Sequence, residues 1–190
     1  MSTLMESPDG LGQRVKAERG RRGWSLARLA DASGVSRAMI SKIERGESNP
    51  TAVVVGKLSA ALELSMTALL SPTEGAAPDQ VRRAADTPHW TDPDTGYLRR
   101  QISTPGFPVD VTEIVLPAGA RVPMPAGTYA FIAQLVWVLD GELTLVDGPA
   151  AHRLTGGDTF ELGEPRAREF VNDTPDECRY LVVVTRKATA

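Results

Sequence analysis

Arg37, Ala38, Ser41, Lys42 and Arg45 stand close together in the sequence, and a helix would gather them within an arc of about 140°. Met39, Ile40 and Ile43 would then lie on the other side. A face that is polar, small and basic suits the major groove of DNA, because small side chains let the helix approach while long cations reach base edges and phosphates. The N–H groups at the start of such a helix add donors for a phosphate. One amphipathic helix alone reads as readily as a solvated surface, so its neighbours have to decide.

Ser25 is a natural N-cap for a helix through about Asp31, Ala32-Ser33-Gly34 make a tight turn, and Ser36 caps the next helix, which is predicted to end at Gly46. From Leu11 to about Leu70 apolar residues recur at mixed three- and four-residue spacing, without strand-like alternation and with proline only at Pro50. The segment resembles the helix-turn-helix domain of the Xre/λ-repressor-like family. LGQRVKAERGRRG corresponds to the first helix, SLARLADAS to the second, GVSRAMISKIERG to the recognition helix and NPTAVVVGKLSAALELSMTALL to the supporting helices. Ala30, Gly34, Val35, Ile40, Ile43 and Gly46 carry the motif.

The resemblance implies an all-α, five-helix domain over residues 11–70 that binds double-stranded DNA. It puts Arg37, Ala38 and Lys42 at base edges with Met39 at the margin, and Ser36, Ser41 and Arg45 near phosphates. Many members have a phosphate-binding glutamine where this chain has Leu26, which leaves Arg28 or Ser25 to make that contact. It also implies a homodimer, with two recognition helices placed on half-sites about one turn of DNA apart.

After SPTEGAAPDQ the text changes. Pro, Gly and Thr become frequent, and β-rich runs (Val109–Leu116, Tyr129–Leu139, Glu142–Val146, Arg168–Val171, Tyr180–Thr185) alternate with turn signals. The expected organisation is a flexible N-terminus over 1–10, the helical domain, a linker over 71–88 and an all-β domain over 89–190. Residues 109–185 resemble the cupin superfamily through LPAGARV, LVWVLDGELTL, GGDTFEL and VND, with Gly119, Gly141 and Gly157-Asp158 at fitting intervals. This implies a cupin-like (double-stranded β-helix) barrel that senses an effector, holds the dimer, or does both.

The family's metal ligands do not carry over. Its glutamate position falls on Gln134, no histidine occurs in Val122–Ala133, and the remaining histidine position falls on Arg168, with Asn172 four residues later. An amide is a poor ligand for a transition metal and a guanidinium repels a cation. No metal, cofactor or catalytic residue is therefore expected, and His89 and His152 lie outside the motif.

What the barrel would offer is an apolar interior with a few polar groups, the usual make-up of a small-molecule pocket. If Gln134 faces inward, alternation brings Val136 and Val138 with it, and an inward Arg168 brings Arg166 and Phe170. Arg168 would hold a carboxylate or phosphate on an effector, or else satisfy Glu161 or Glu169 with nothing bound. Upstream, HWTDPDTGYLRRQIS clusters Trp90, Tyr97, Arg99 and Arg100. Such a cluster forms a ligand wall, clamps a linker onto its domain, or seals a dimer interface.

Charge supports two jobs: residues 1–70 carry ten Lys/Arg against seven Asp/Glu, and residues 71–190 eleven against seventeen. Cys178 is the only cysteine, so no disulfide forms within one chain. No apolar run approaches the roughly 20 residues that span a bilayer, and MSTLMESPDG lacks a signal-peptide core. A cytoplasmic regulator is the expectation, not an enzyme. An antitoxin-like interaction module and a cupin enzyme are the alternatives, separable by co-purification of a partner and by metal analysis with activity screening.

Overall fold

The structure is a computed structural model, described over residues 8–71 and 81–186. The expected flexible N-terminus falls largely outside these residues, as do residues 72–80 of the expected linker. Among the described residues five α-helices come first: α1 (Pro8–Arg21), α2 (Leu26–Ser33), α3 (Arg37–Glu44), α4 (Ala52–Ala61) and α5 (Met66–Leu70).

Local chemistry fixes where they start and stop. The Ser25 hydroxyl accepts the Arg28 N–H and that of Ser36 the Met39 N–H, so each cap satisfies a donor that the first turn leaves unpaired. Between α2 and α3 the chain turns at Gly34, whose φ of 66° suits a residue without Cβ.

Val15, Leu29, Ile40, Ile43, Val55 and Leu58 bury the inner faces of the bundle. Helix α1 lies so close to the end of α3 that a Cβ at Gly12 would stand 2.1 Å from the Ile43 carbonyl oxygen. One ion pair ties α1 to α3, and a second cluster works along α1 itself. Arg19 grips Glu44 of α3 through two bonds of 2.6 and 2.8 Å. Glu18 is buried and takes Arg14 at 3.1 Å and Arg22 at 3.2 Å, together with Arg21.

Ten strands follow. β1 (His89–Thr91), β2 (Leu98–Gln101), β3 (Asp110–Leu116), β10 (Cys178–Arg186), β5 (Ile132–Asp140) and β8 (Thr159–Leu162) form one antiparallel sheet in that order, and β4 (Arg121–Met124), β9 (Arg168–Val171), β6 (Glu142–Asp147) and β7 (Ala150–Thr155) form the other. Ile114, Leu116, Val136, Val138, Tyr180 and Val182 of the larger sheet pack on Val122, Leu143, Leu145 and Phe170 of the smaller one.

The cupin-like (double-stranded β-helix) barrel expected from the sequence is not what forms. Among the described residues no ladder joins the two sheets, and each ends in edge strands, β1 and β8 in one and β4 and β7 in the other. Edge strand β4 carries Pro123, which has no N–H for a further ladder. The β half is an open two-sheet sandwich.

The run expected to begin at Tyr129 also starts later, because Ala126–Tyr129 form a 3-10 turn and the strand opens at Ile132. That turn packs against α4, where a Cβ at Gly56 would stand 3.1 Å from Thr128 Oγ1 and one at Gly127 would stand 3.0 Å from the Ala60 methyl. Polar bonds complete the joint. Ser65 donates to Asp110 at 3.0 Å, Ser71 to Gln101 at 2.7 Å, and the Trp90 indole to Asn49 at 2.9 Å. The helical half is thus seated directly on the sandwich.

Candidate nucleic-acid interface and the cavity behind it

The exposed face of α3 is built on a rigid base. Ile40 and Ile43 anchor it in the bundle, Glu44 is tied to Arg19, and Arg37, Ala38 and Lys42 project into solvent. Ser25, Arg28, Ser36 and Arg45 are exposed too, while Met39 and Ser41 are half-buried at the margins.

Two of these groups are already occupied. Arg28 lies over the Trp24 ring, 5.5 Å from its centroid. Arg45 makes a two-pronged pair with Glu47, 2.6 Å on each bond, and donates to Ser41 Oγ. These bonds draw the Glu47 carboxyl below its ordinary range. Arg37 and Lys42 have no ion-pair partner among the described residues.

A family model described as helix-turn-helix matches residues 15–69. Residues 15–69 are a helix-turn-helix domain. Over 68 residues the chain is 44% identical to the HTH-type transcriptional regulator SutR of Escherichia coli (strain K12), covering 36% of this chain and 38% of that protein. A protein of Halorubrum lacusprofundi, provisionally named as an HTH-type transcriptional regulatory protein, is 33% identical over 180 residues, 91% of this chain and 53% of its own length. The chain thus spans about half or less of these relatives. Among solved structures, an HTH_3 family transcriptional regulator from Vibrio cholerae superposes with a TM-score of 0.74 at 22% identity, covering 94% of this chain and 96% of that one. That likeness concerns the fold.

The residues expected to line a pocket in the β half are not gathered into one site. Gln134 and Phe170 do line a common cavity, between the two sheets and α5. Val136 and Val138 face inward but lie deeper, with no exposure. Arg166 is exposed, 3.7 Å from Asp147.

Arg168 is 3% exposed and neither Glu161 nor Glu169 satisfies it. Its partners are Asp147, 3.1 Å from Nε, and the Glu164 carbonyl at 3.0 Å, and its guanidinium lies 4.9 Å from the Tyr129 ring centroid. Register explains the change of partner, since Arg168 is opposite Asp147 across the β6–β9 ladder. Among the described residues no three His, Cys, Asp or Glu side chains converge as metal ligands would.

Sequence reasoning gave Tyr97 and Arg99 no firm place. Arg99 and Gln101 alternate inward from β2, beneath α5, while Arg100 turns outward to Glu113, which also takes Arg179 at 2.7 Å. Burial pushes the Glu113 carboxyl up, but these two guanidiniums outweigh it and hold it below the ordinary carboxylate range. Cys178 lies in the core, its thiol raised to about 11 by burial and by Asp140 and Glu142, and is therefore unreactive near neutral pH. No helix among the described residues is long and apolar enough to cross a membrane.

Proposed function

We propose that the protein is a dimeric, sequence-specific DNA-binding transcriptional regulator, acting in the cytoplasm by binding and not by catalysis. The observation that carries the reading is the capped, firmly braced α3 with Arg37, Ala38 and Lys42 free on its outer face, within a helix-turn-helix domain. Arg37 and Lys42 reach base edges, and Arg45, with the N–H groups at the start of α3, meets phosphate. The curated relatives are named as transcriptional regulators.

Dimerisation is assigned to the β half. Trp137, 44% exposed, and Leu139 lie on the outer face of the larger sheet beside Leu181 and Val183, an apolar patch that a second copy would cover. The sandwich then sets the distance between two recognition helices, and an effector that favours one arrangement changes operator affinity by linkage.

Selection of duplexes from a random pool by the full chain, followed by gel-shift titration, tests the reading. Arg37→Ala is expected to alter sequence preference, whereas Arg45→Ala weakens all duplexes alike and lowers the salt slope by about one. Unchanged binding by both variants would sink the assignment. For the dimer, sedimentation of Trp137→Glu should show a monomer where the parent protein sediments as a dimer.

A further inference from the structure

Among the described residues, the hydrogen bonds that cross from the helical half to the sandwich fall into two groups. Ser65, Thr67 and Ser71 reach Asp110, Thr112, Arg99 and Gln101 around α5. The other bonds come from a single side chain, Asn49, in the segment that leads from α3 to α4. Its Oδ1 accepts the Trp90 indole N–H at 2.9 Å, and its Nδ2 donates to the Thr91 carbonyl at 3.3 Å. An indole only donates and a carbonyl only accepts, so these adjacent residues of β1 fix which way the amide points.

The segment that carries Asn49 is tied back to the reading helix. Glu47 pairs with Arg45, the Glu47 N–H donates to the Lys42 carbonyl at 2.9 Å, and the Ser48 hydroxyl lies 3.7 Å from Met39 Sδ. On the sandwich side, Trp90 stands opposite Arg99 in the β1–β2 ladder, and its ring meets Tyr97 edge-on at 6.5 Å. Arg99 in turn donates to Tyr97 Oη at 2.6 Å and to Thr67 Oγ1 of α5 at 3.0 Å. Both groups of bonds are therefore anchored through β2.

Their separation matters. The close approach of α4 to the sandwich is at Gly56 and Ala60, whereas Asn49 precedes the first turn of that helix. Helix rise alone puts Ala60 roughly 12 Å beyond the start of α4. A bundle held at one end can tilt about that end, and a second attachment a lever arm away resists the tilt. Both Asn49 bonds are exposed to solvent, so each is weak and opens without unfolding either half.

We propose that Trp90 is a positioning residue for operator spacing. Its bond to Asn49 holds the reading helix at one tilt relative to the sandwich, and an operator whose half-sites stand at another separation is bound only when that bond opens. This rests on the dimeric reading above. Opening the bond costs a few fold in one protomer and about tenfold in both. That factor is added to discrimination against wrong spacing, and nothing is added to recognition of a single half-site.

The test is gel-shift titration of the full chain on the duplex selected as above, on versions with its half-sites moved by one and two base pairs, and on an isolated half-site. Trp90→Phe keeps a ring against Tyr97 and removes the N–H. It is expected to bind the selected duplex and the half-site as the parent does, while the penalty for displaced half-sites shrinks by up to about tenfold. Without DNA, the amides of residues 46–49 should exchange about threefold faster in this variant. Should Trp90→Phe fail to fold, Asn49→Ala, which removes both bonds, decides by the same spacing profile. The proposal is overturned if the profile stays as in the parent, if the isolated half-site weakens as much as the spaced duplexes, or if exchange at 46–49 is unchanged. A parent that sediments as a monomer overturns the spacing role together with the dimer, whereas a dimer with an unchanged profile overturns the Trp90 role alone.

Discussion

Arginine appears in this molecule in two settings. On α3, Arg37 stands in water on a face whose backing is apolar, its charge fully solvated. In the β half, Arg168 and Arg99 are sealed from solvent, one facing Asp147 and the other only hydroxyls. A solvated charge costs the fold almost nothing and stays available for a partner to desolvate. A buried one has already lost its hydration, so its neighbours, or a ligand, have to compensate. The same residue type is an advertisement in one place and a structural obligation in the other.

The largest effect that would break this contrast is Arg168→Ala. It empties the buried site of the Arg168 side chain and leaves the half-buried Asp147 with only Arg166, at 3.7 Å, and should lower unfolding free energy by about 3 kcal/mol through lost packing and pairing, whereas Arg37→Ala should stay within about 0.5 kcal/mol. Urea denaturation of both decides, and equal losses would show that burial is not what separates the two settings. Conversely, Arg37→Ala should cost about 1–3 kcal/mol of discrimination between a selected duplex and one altered at the contacted base, measured by competition, with Arg168→Ala unaffected wherever it remains folded.

Glu18 sharpens the comparison from the acid side. Hydrogen bonding from Arg21, with the charges of Arg21 and Arg14, holds its carboxyl below the ordinary 4.5 despite burial. A carboxyl whose folded pKa is depressed contributes stability above its unfolded pKa, and that contribution is lost as pH falls through the lower folded value. Glu113 behaves likewise. Glu18→Gln should cost about 1–2 kcal/mol near neutrality and flatten the decline in stability below about pH 4.5, as urea midpoints across pH would reveal. Arg14 and Arg22 keep partial access to water, which is why the loss stays modest. The smallest effect belongs to the surface: Glu47→Ala frees Arg45 and removes a negative charge from the interface. It should strengthen duplex binding by a few fold at low salt and leave stability within about 0.5 kcal/mol.

The helical half was legible in the sequence because its signals are local. Ser25, Gly34 and Ser36 act within one turn of themselves, and the alternation of Ile40 and Ile43 with Arg37 and Lys42 needs only a helix to be read. The β half was less so, for reasons particular residues make plain. LRRQ at 98–101 looks like surface, but Arg99 and Gln101 are covered by α5 and bonded to Thr67 and Ser71, a burial no pattern along the strand announces. RVPM at 121–124 is disguised by its proline, which an edge strand tolerates. Motif spacing suggested a closed barrel because glycine turns recur at similar intervals in many β architectures, and spacing does not say which ladders close. Asp147, the true partner of Arg168, lies 21 residues earlier in the sequence and meets it only through pairing register.

The close seat between α4 and the turn at Ala126–Tyr129 bears on how such a protein can be rebuilt. Because neither Gly56 nor Gly127 leaves easy room for a Cβ, α4 sits close against the sandwich, and α3 is carried with it through the helical bundle. In a dimer held by the β half, base preference and half-site separation would therefore be encoded in different stretches of chain. A chimaera that exchanges only the α3 surface should inherit new letters at the old spacing, and one that exchanges the sheet face should keep its letters and change the gap between them.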